Sequence, residues 1–237
     1  LSPSQQRLWL VDRLHGAAAA YNMAATLSLD GELDVAVLQA TFAALLQRHE
    51  VLRTAYPDND GEPCAVISAH LDFHLGLRDL SGLPASEREA EAQRESLDNL
   101  RQPFDLSAPP LIRARLLKLG ERRHHLLLAL HHMVADGWSV GVLFDEFSQL
   151  YRSLRAAQPT DLLPLPLQYA DYAVWQRRLL GGERLERELG FWRAELAAAP
   201  QVLALPSDWP RPAQASSAGA AHALRVPAAL VERLEAL

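Results

Sequence analysis

The sequence predicts an α/β fold: a central sheet covered by helices on both faces. Three observations carry this. Residues 124–131 read as a strand that is apolar on both sides, Leu126, Leu128 and Leu130 facing one way and Leu127 and Ala129 the other. A strand with no polar face belongs inside a sheet that is covered twice. Several segments pair helix-start chemistry with apolar residues at helical spacing. Finally, 237 residues that are 49% hydrophobic and 22% charged suffice for a sizeable core.

In chain order, Ser2-Pro3-Ser4-Gln5 opens a helix, with Ser2 as N-cap, Pro3 in the first helical position and Gln5 closing a capping box. That helix is expected to reach about residue 14. Residues 26–30 alternate like a strand. Asp34 caps a helix whose Val35, Leu38, Phe42 and Leu45 form one apolar stripe. Short strands are expected near 52–56, 64–68 and 71–77. Ser86-Glu87-Arg88-Glu89 reads as a second capping box, opening a polar helix to about residue 100. Strands follow near 111–119 and 124–131. A helix is expected from near Ser139, with Val140, Leu143, Phe147, Leu150 and Leu154 at helical spacing. The Pro-rich 158–167 reads as a loop, and helices resume over 168–180 and 184–198. The stretch 199–219, rich in Pro, Ala and Ser, reads as a connection. Beyond it, 221–226 is a candidate strand and Ala228 begins a helix. No internal repeat is visible.

The formal net charge is -6, and no stretch concentrates Lys or Arg as a nucleic-acid footprint would. Arg113, Arg115, Arg177 and Arg178 are scattered and read as solvated faces. Cys64 is the single cysteine, which excludes an internal disulfide and a cysteine metal cluster. The longest apolar runs, such as 126–130, are too short to span a membrane, and Leu1-Ser2-Pro3 enters helix-start chemistry with no leader pattern. A cytoplasmic setting is the expectation. The lack of an initiator Met fits processing or, preferentially, a piece cut from a longer polypeptide.

The segment richest in chemistry is His131-His132-Met133-Val134-Ala135-Asp136-Gly137-Trp138-Ser139. It lies where a buried strand ends and a helix begins. A strand end fixes a side chain rigidly, and a helix N-terminus offers unpaired N–H groups to developing negative charge. Adjacent strand residues point to opposite faces, so His131 and His132 do not readily share a metal ion; no metal is expected. His131 reads as a satisfied core histidine with a positioning role. His132 reads as a general base or a positioning group for a nucleophile. Asp136 either orients the imidazole or pairs with an arginine and braces the loop. Gly137 permits positive φ and close approach of a substrate backbone. Trp138 reads equally well as plain core.

His-His-x-x-x-Asp-Gly resembles the signature of the condensation-domain superfamily, which shares its fold with chloramphenicol acetyltransferase. Three further segments in the family's order strengthen the resemblance. Leu1-Ser2-Pro3-Ser4-Gln5-Gln6-Arg7-Leu8-Trp9 resembles its opening motif, Arg48-His49-Glu50-Val51-Leu52-Arg53-Thr54 its second, and Tyr169-Ala170-Asp171-Tyr172-Ala173-Val174-Trp175 the one after the histidines. Taken singly, most of these residues read as scaffold, with the chemistry resting on His132.

The resemblance implies a chloramphenicol acetyltransferase-like lobe, a mixed central sheet flanked by helices, at 1–198. It further implies an inter-lobe connection at 199–219 and the start of an incomplete second lobe at 220–237, the rest of the C-terminal lobe being missing. It implies a nonribosomal peptide synthetase condensation domain. In such a domain a carrier-bound aminoacyl amine attacks a donor thioester, both delivered on 4'-phosphopantetheine arms. The implied partners are donor and acceptor peptidyl carrier domains and adjacent synthetase domains, with no nucleic acid or membrane. No cofactor is expected on the chain itself. The family motif supplies Arg48 or Arg53 as the salt-bridge partner expected for Asp136, and the Gly137 N–H as an oxyanion donor. The opening segment resembles the subtype that uses an L-configured donor. A free-standing coenzyme A-dependent acyltransferase and a non-catalytic carrier-docking lobe are the alternatives.

Overall fold

The structure, a computed structural model, describes residues 1–15, 19–200, 202, 206, 209–210 and 222–237. The chain divides into two compact units, Leu1–Glu195 and Leu196–Leu237. The elements in chain order are α1 (Pro3–His15), β1 (Asn22–Asp30), α2 (Val35–Arg48), β2 (Thr54–Ala55), β3 (Asp58–Asn59), β4 (Glu62–Pro63), β5 (Val66–Ile67), β6 (Gly76–Asp79), α3 (Ala85–Arg101), β7 (Ile112–Lys118), β8 (Arg123–His131), α4 (Gly137–Arg155), α5 (Tyr169–Leu179), α6 (Gly182–Leu196) and α7 (Ala228–Glu235).

The main sheet of the first unit has the order β1-β8-β7-β6. β8 is antiparallel to β1 and β7, whereas β6 and β7 run parallel, so the sheet is mixed. The apolar sequence of β8 explains its inner place. Leu126, Leu128 and Leu130 pack with Leu38, Phe42 and Leu45 of α2 and Leu143 and Leu150 of α4. On the opposite face Leu127 joins Leu80, Leu117, Leu119 and Ala92 of α3. Each fully buried leucine contributes about 1.5–3 kcal/mol relative to exposure, so β8 anchors both layers and everything fixed to its end.

The expected caps at the first two helices form. Gln5 N donates to Ser2 Oγ at 3.2 Å, and Ser2 N donates to Gln5 Oε1 at 3.0 Å. Val37 N donates to Asp34 Oδ1 at 3.0 Å. The second expected capping box, at Ser86, does not form: α3 starts at Ala85, with Pro84 as N-cap. The Arg88 guanidinium collects the carbonyls of Ser81, Leu83 and Leu119, which anchors the loop upstream of Ser86.

The expected strand over 71–77 is only Gly76–Asp79. Phe73 and Leu75 enter the core instead, and the Gln39 side chain takes their backbone groups, accepting from Leu75 N and donating to Phe73 O. Near 52–56 a 3-10 turn over Glu50–Arg53 precedes the short β2, closed by Thr54 Oγ1 donating to Glu50 O at 2.7 Å. The strand expected over 64–68 is the pair Val66–Ile67 alone, matched to β2.

Arg113 and Arg115 are not simply solvated. Arg113 stacks its guanidinium 3.8 Å from the Phe104 ring centre and donates to the Asn99 carbonyl at 3.0 Å, whereas Arg115 pairs with the buried Glu95. Arg177 and Arg178 are exposed as expected. In α5, Tyr172 and Trp175 are about half exposed and only Ala173 is buried, so these aromatics are not core.

In the second unit, α7 has no buried residue. The described part of the expected strand, 222–226, is not strand; among the described residues no second strand lies there to satisfy its backbone. Most of the expected connection at 199–219 lies outside the described residues.

Candidate active site

The end of β8 is held from both sides. His131 N donates to Leu111 O at 3.0 Å, and His132 N to Tyr21 O at 2.8 Å. The chain then turns sharply, Val134 N donating to His131 O at 3.0 Å. Inside that turn the His131 ring acts as an acceptor: Met133 N donates to its Nδ1 at 3.1 Å. His131 is 1% exposed, with the rings of Tyr21 and Phe104 beside it. Burial, and then the neighbouring His132, pull its pKa down from 6.5 to about 4, so the ring is neutral and keeps its acceptor lone pair. His132 points the other way and is exposed, as alternation along the strand requires.

Gln5 clamps the turn from α1. Its Nε2 donates to Met133 O at 3.2 Å and to Tyr56 Oη at 3.0 Å. Trp9 Nε1 donates to Tyr56 O at 3.0 Å, and burial raises the Tyr56 pKa, keeping the phenol protonated. These contacts explain why the opening Gln5–Trp9 segment bears on a site more than a hundred residues downstream.

His132 lines a cavity of about 590 Å³ whose walls include Gln5, His49, Asp136, Trp138, Gln168 and Tyr169. Asp136 sits at its edge as the N-cap of α4. Ser139 N and Ser139 Oγ donate to Asp136 Oδ1 at 2.8 and 2.6 Å, and the Ser139 hydroxyl is the main reason that the Asp136 pKa is lowered. The cap starts α4 at Gly137, two residues before the expected Ser139.

The arginine expected beside Asp136 is elsewhere. Arg48 is bound to Glu146 of α4, and Arg53 to Glu50 and the Ser68 carbonyl. Asp136 satisfies itself on the helix start, where two donors stand within a turn, and neither arginine pairs with it. Gly137 needs no positive φ, since it is the first helical residue of α4. Apart from its chain neighbours and the backbone of its own helix, no atom of the described residues lies within 4 Å of where its side chain would begin, so that side of the site is open to a ligand backbone. As the first residue of the helix its N–H has no intrahelical acceptor. Trp138 is 85% exposed, on the cavity wall and not in the core.

Two residues of the site were not singled out from the sequence. Glu146 is 8% exposed and accepts from Arg48 Nε at 3.0 Å, Arg48 Nη2 at 3.1 Å and His49 Nε2 at 2.5 Å. Its signal was present: it falls between Leu143 and Leu150 on the buried stripe of α4, where a carboxylate demands a partner. Gln168 bridges α5 to the Arg48 segment, its Nε2 donating to Arg48 O at 3.0 Å and its Oε1 accepting from Glu50 N at 3.1 Å.

The sequence profile of the condensation domain matches residues 1–237. The chain belongs to the condensation-domain family. A linear gramicidin synthase protein of Brevibacillus parabrevis is 45% identical over 237 residues, which is 100% of this chain and 3% of that protein. Phosphinothricin tripeptide synthetase PhsC of Streptomyces viridochromogenes is 41% identical over 100% of this chain and 22% of that protein. Among solved structures, the X-domain from teicoplanin biosynthesis superposes with a TM-score of 0.78 at 33% identity, covering 90% of this chain and 46% of that one. The first condensation domain of the CDA synthetase gives 0.72 at 26% identity, covering 85% of this chain and 51% of that one. The chain therefore spans a small part of its synthetase relatives and about half of the solved domains, and its fold is that of the chloramphenicol acetyltransferase-like condensation domains.

Among the described residues of this condensation-domain chain, no group of three or more His, Cys, Asp or Glu could hold a metal ion. Nor is any helix there long and apolar enough to cross a membrane.

Proposed function

We propose that this chain carries the reaction centre of a nonribosomal peptide synthetase condensation domain. The observation that supports this most is His132, rigidly held at the end of β8 and exposed to a cavity beside the start of α4. In the proposed reaction the amine of a carrier-bound aminoacyl thioester attacks the carbonyl of a carrier-bound donor thioester. The C–N bond forms, the C–S bond breaks, the amine loses one proton and the departing thiolate gains one. His132 takes that proton or holds the amine, and the Gly137 N–H with the α4 N-terminus faces the oxyanion. Both substrates are tethered and the thioester is already activated, so alignment supplies much of the rate.

In this reading the substrates arrive on 4'-phosphopantetheine arms of donor and acceptor carrier domains, in the cytoplasm, and no resident cofactor takes part. In the same reading the opposite wall would come from a second lobe, in keeping with this chain spanning about half of the solved domains. The opening Gln5-Gln6-Arg7-Leu8-Trp9 favours an L-configured donor. The test is peptide formation from two loaded carriers by the intact synthetase carrying this chain, followed by mass spectrometry. No product from wild-type protein, or turnover of free acyl-coenzyme A instead, would reject it.

A second reading has one observation in its favour. The X-domain that this chain resembles at 32% identity is a structure in complex with OxyB. A domain that docks a partner without chemistry would bind a loaded carrier, form no peptide and be indifferent to loss of His132.

A further inference from the structure

The cavity holds a second histidine. His49 lies at the end of α2, and its Nε2 is 2.5 Å from Glu146 Oε2. A carboxylate only accepts, so Nε2 carries a hydrogen and Nδ1 is the nitrogen turned away from Glu146; in the neutral ring Nδ1 keeps its lone pair. No residue among those described takes that lone pair. Glu146 is fixed in turn by Arg48, which contacts both of its oxygens and also donates to Leu163 O at 2.7 Å. Burial alone would push the Glu146 carboxyl up, but the hydrogen bonds from Arg48 and His49 hold it below its ordinary value, so it stays an anion. A buried carboxylate that orients an imidazole, with the far nitrogen bare, is how proteins build a base.

Among the described residues no carboxylate is hydrogen-bonded to the His132 ring. Asp136, the nearest candidate in sequence, spends its Oδ1 on Ser139. We propose, resting on the preceding reading, that His49 is a second catalytic residue of this cavity: oriented by Glu146, it takes the proton of the attacking amine while His132 holds that amine. The balance closes within the reaction itself. The C–N bond forms, the amine proton passes to His49 Nδ1, the C–S bond breaks, and the thiolate that leaves accepts that proton and restores neutral His49. The charged and titratable groups around His49 are Glu146 of α4, Arg48 and Glu50 beside it in the chain, and Arg7, His132, Asp136 and Tyr169 in the cavity.

The test uses the intact synthetase, two loaded carriers and product formation measured across pH. His49→Gln keeps an N–H toward Glu146 and should leave the melting temperature near wild type. It should slow peptide formation by about 10²–10⁴-fold and remove the rise in rate that follows deprotonation of a histidine. An unchanged rate and pH profile in His49→Gln overturns the assignment alone; absence of peptide from wild type overturns the earlier reading and this one with it. A second measurement needs no variant. Nitrogen NMR of the wild-type protein should find His49 hydrogen-bearing at Nε2 and bare at Nδ1; the opposite tautomer refutes the proposal.

Discussion

Arg48 grips Glu146 at two points, Nε to Oε2 at 3.0 Å and Nη2 to Oε1 at 3.1 Å, and so ties the last residue of α2 to the middle of α4. The two side chains are 17% and 10% exposed. Arg48→Ala would therefore leave the buried Glu146 carboxylate with only the His49 N–H as partner, and a loss of up to about 3–5 kcal/mol is expected, read as a lower urea midpoint. Arg48→Met combined with Glu146→Met should lose less than Arg48→Ala alone, because it leaves no charge uncompensated. A double variant as unstable as the single one would contradict this.

Asp136→Ala should cost much less. It removes an N-cap and not a buried ion pair, and caps of this kind are worth about 0.5–2 kcal/mol. Asp136→Asn should stay near wild type at neutral pH, since Asn caps as well as Asp. The pH dependence has a definite sign. The hydrogen bonds from Ser139 lower the folded carboxyl's pKa, so the stability that they give is present above the unfolded value and lost as pH falls through the folded one. Asp136→Asn should flatten that acid loss, a difference that chemical denaturation at several pH values detects.

The path from sequence to site was legible wherever one residue's chemistry is local. The apolar pattern of 124–131 needs only the strand period, and Ser2, Gln5 and Asp34 cap helices that begin within three residues of them. Opposite facing of His131 and His132 follows from the same period. Long-range partnerships were not legible. Asp136 offers no sign that a hydroxyl three residues ahead will satisfy it before an arginine does. Gln39, 34 residues before Phe73, replaces the strand partner that the pattern of 71–77 implies. Glu146 was the informative exception: a carboxylate on an apolar helix stripe announces a buried cation, although not which one.

His132→Ala should leave the fold intact, since the side chain is exposed and no side-chain hydrogen bond among the described residues depends on it. On the proposed function, peptide formation by the intact synthetase should fall, by about 10²–10⁴-fold where His132 moves the proton. Mass spectrometry of the product with melting temperature measured in parallel separates lost chemistry from lost structure. Turnover near wild type in a folded variant would remove His132 from the mechanism.

His131 gives the site its acid limit. Folded, its pKa is about 4, against 6.5 for the ordinary group, with burial as the first cause and the His132 charge as the second. Between those values the unfolded chain binds a proton that the folded one refuses, so the contribution is complete above about pH 6.5 and is lost as pH falls toward 4. The shift corresponds to a loss on the order of 3 kcal/mol at the acid limit. Protonation would also put a hydrogen on the Nδ1 that accepts from Met133 N, opening the turn that aims His132. His131→Asn offers an amide oxygen near the place of Nδ1 and cannot charge. Its stability should be lower than wild type at pH 7, through lost packing against Tyr21 and Phe104, yet it should fall less steeply between pH 6.5 and 4. Denaturation midpoints across that window decide the matter: equal slopes in the two proteins would mean that some group other than His131 sets the acid limit.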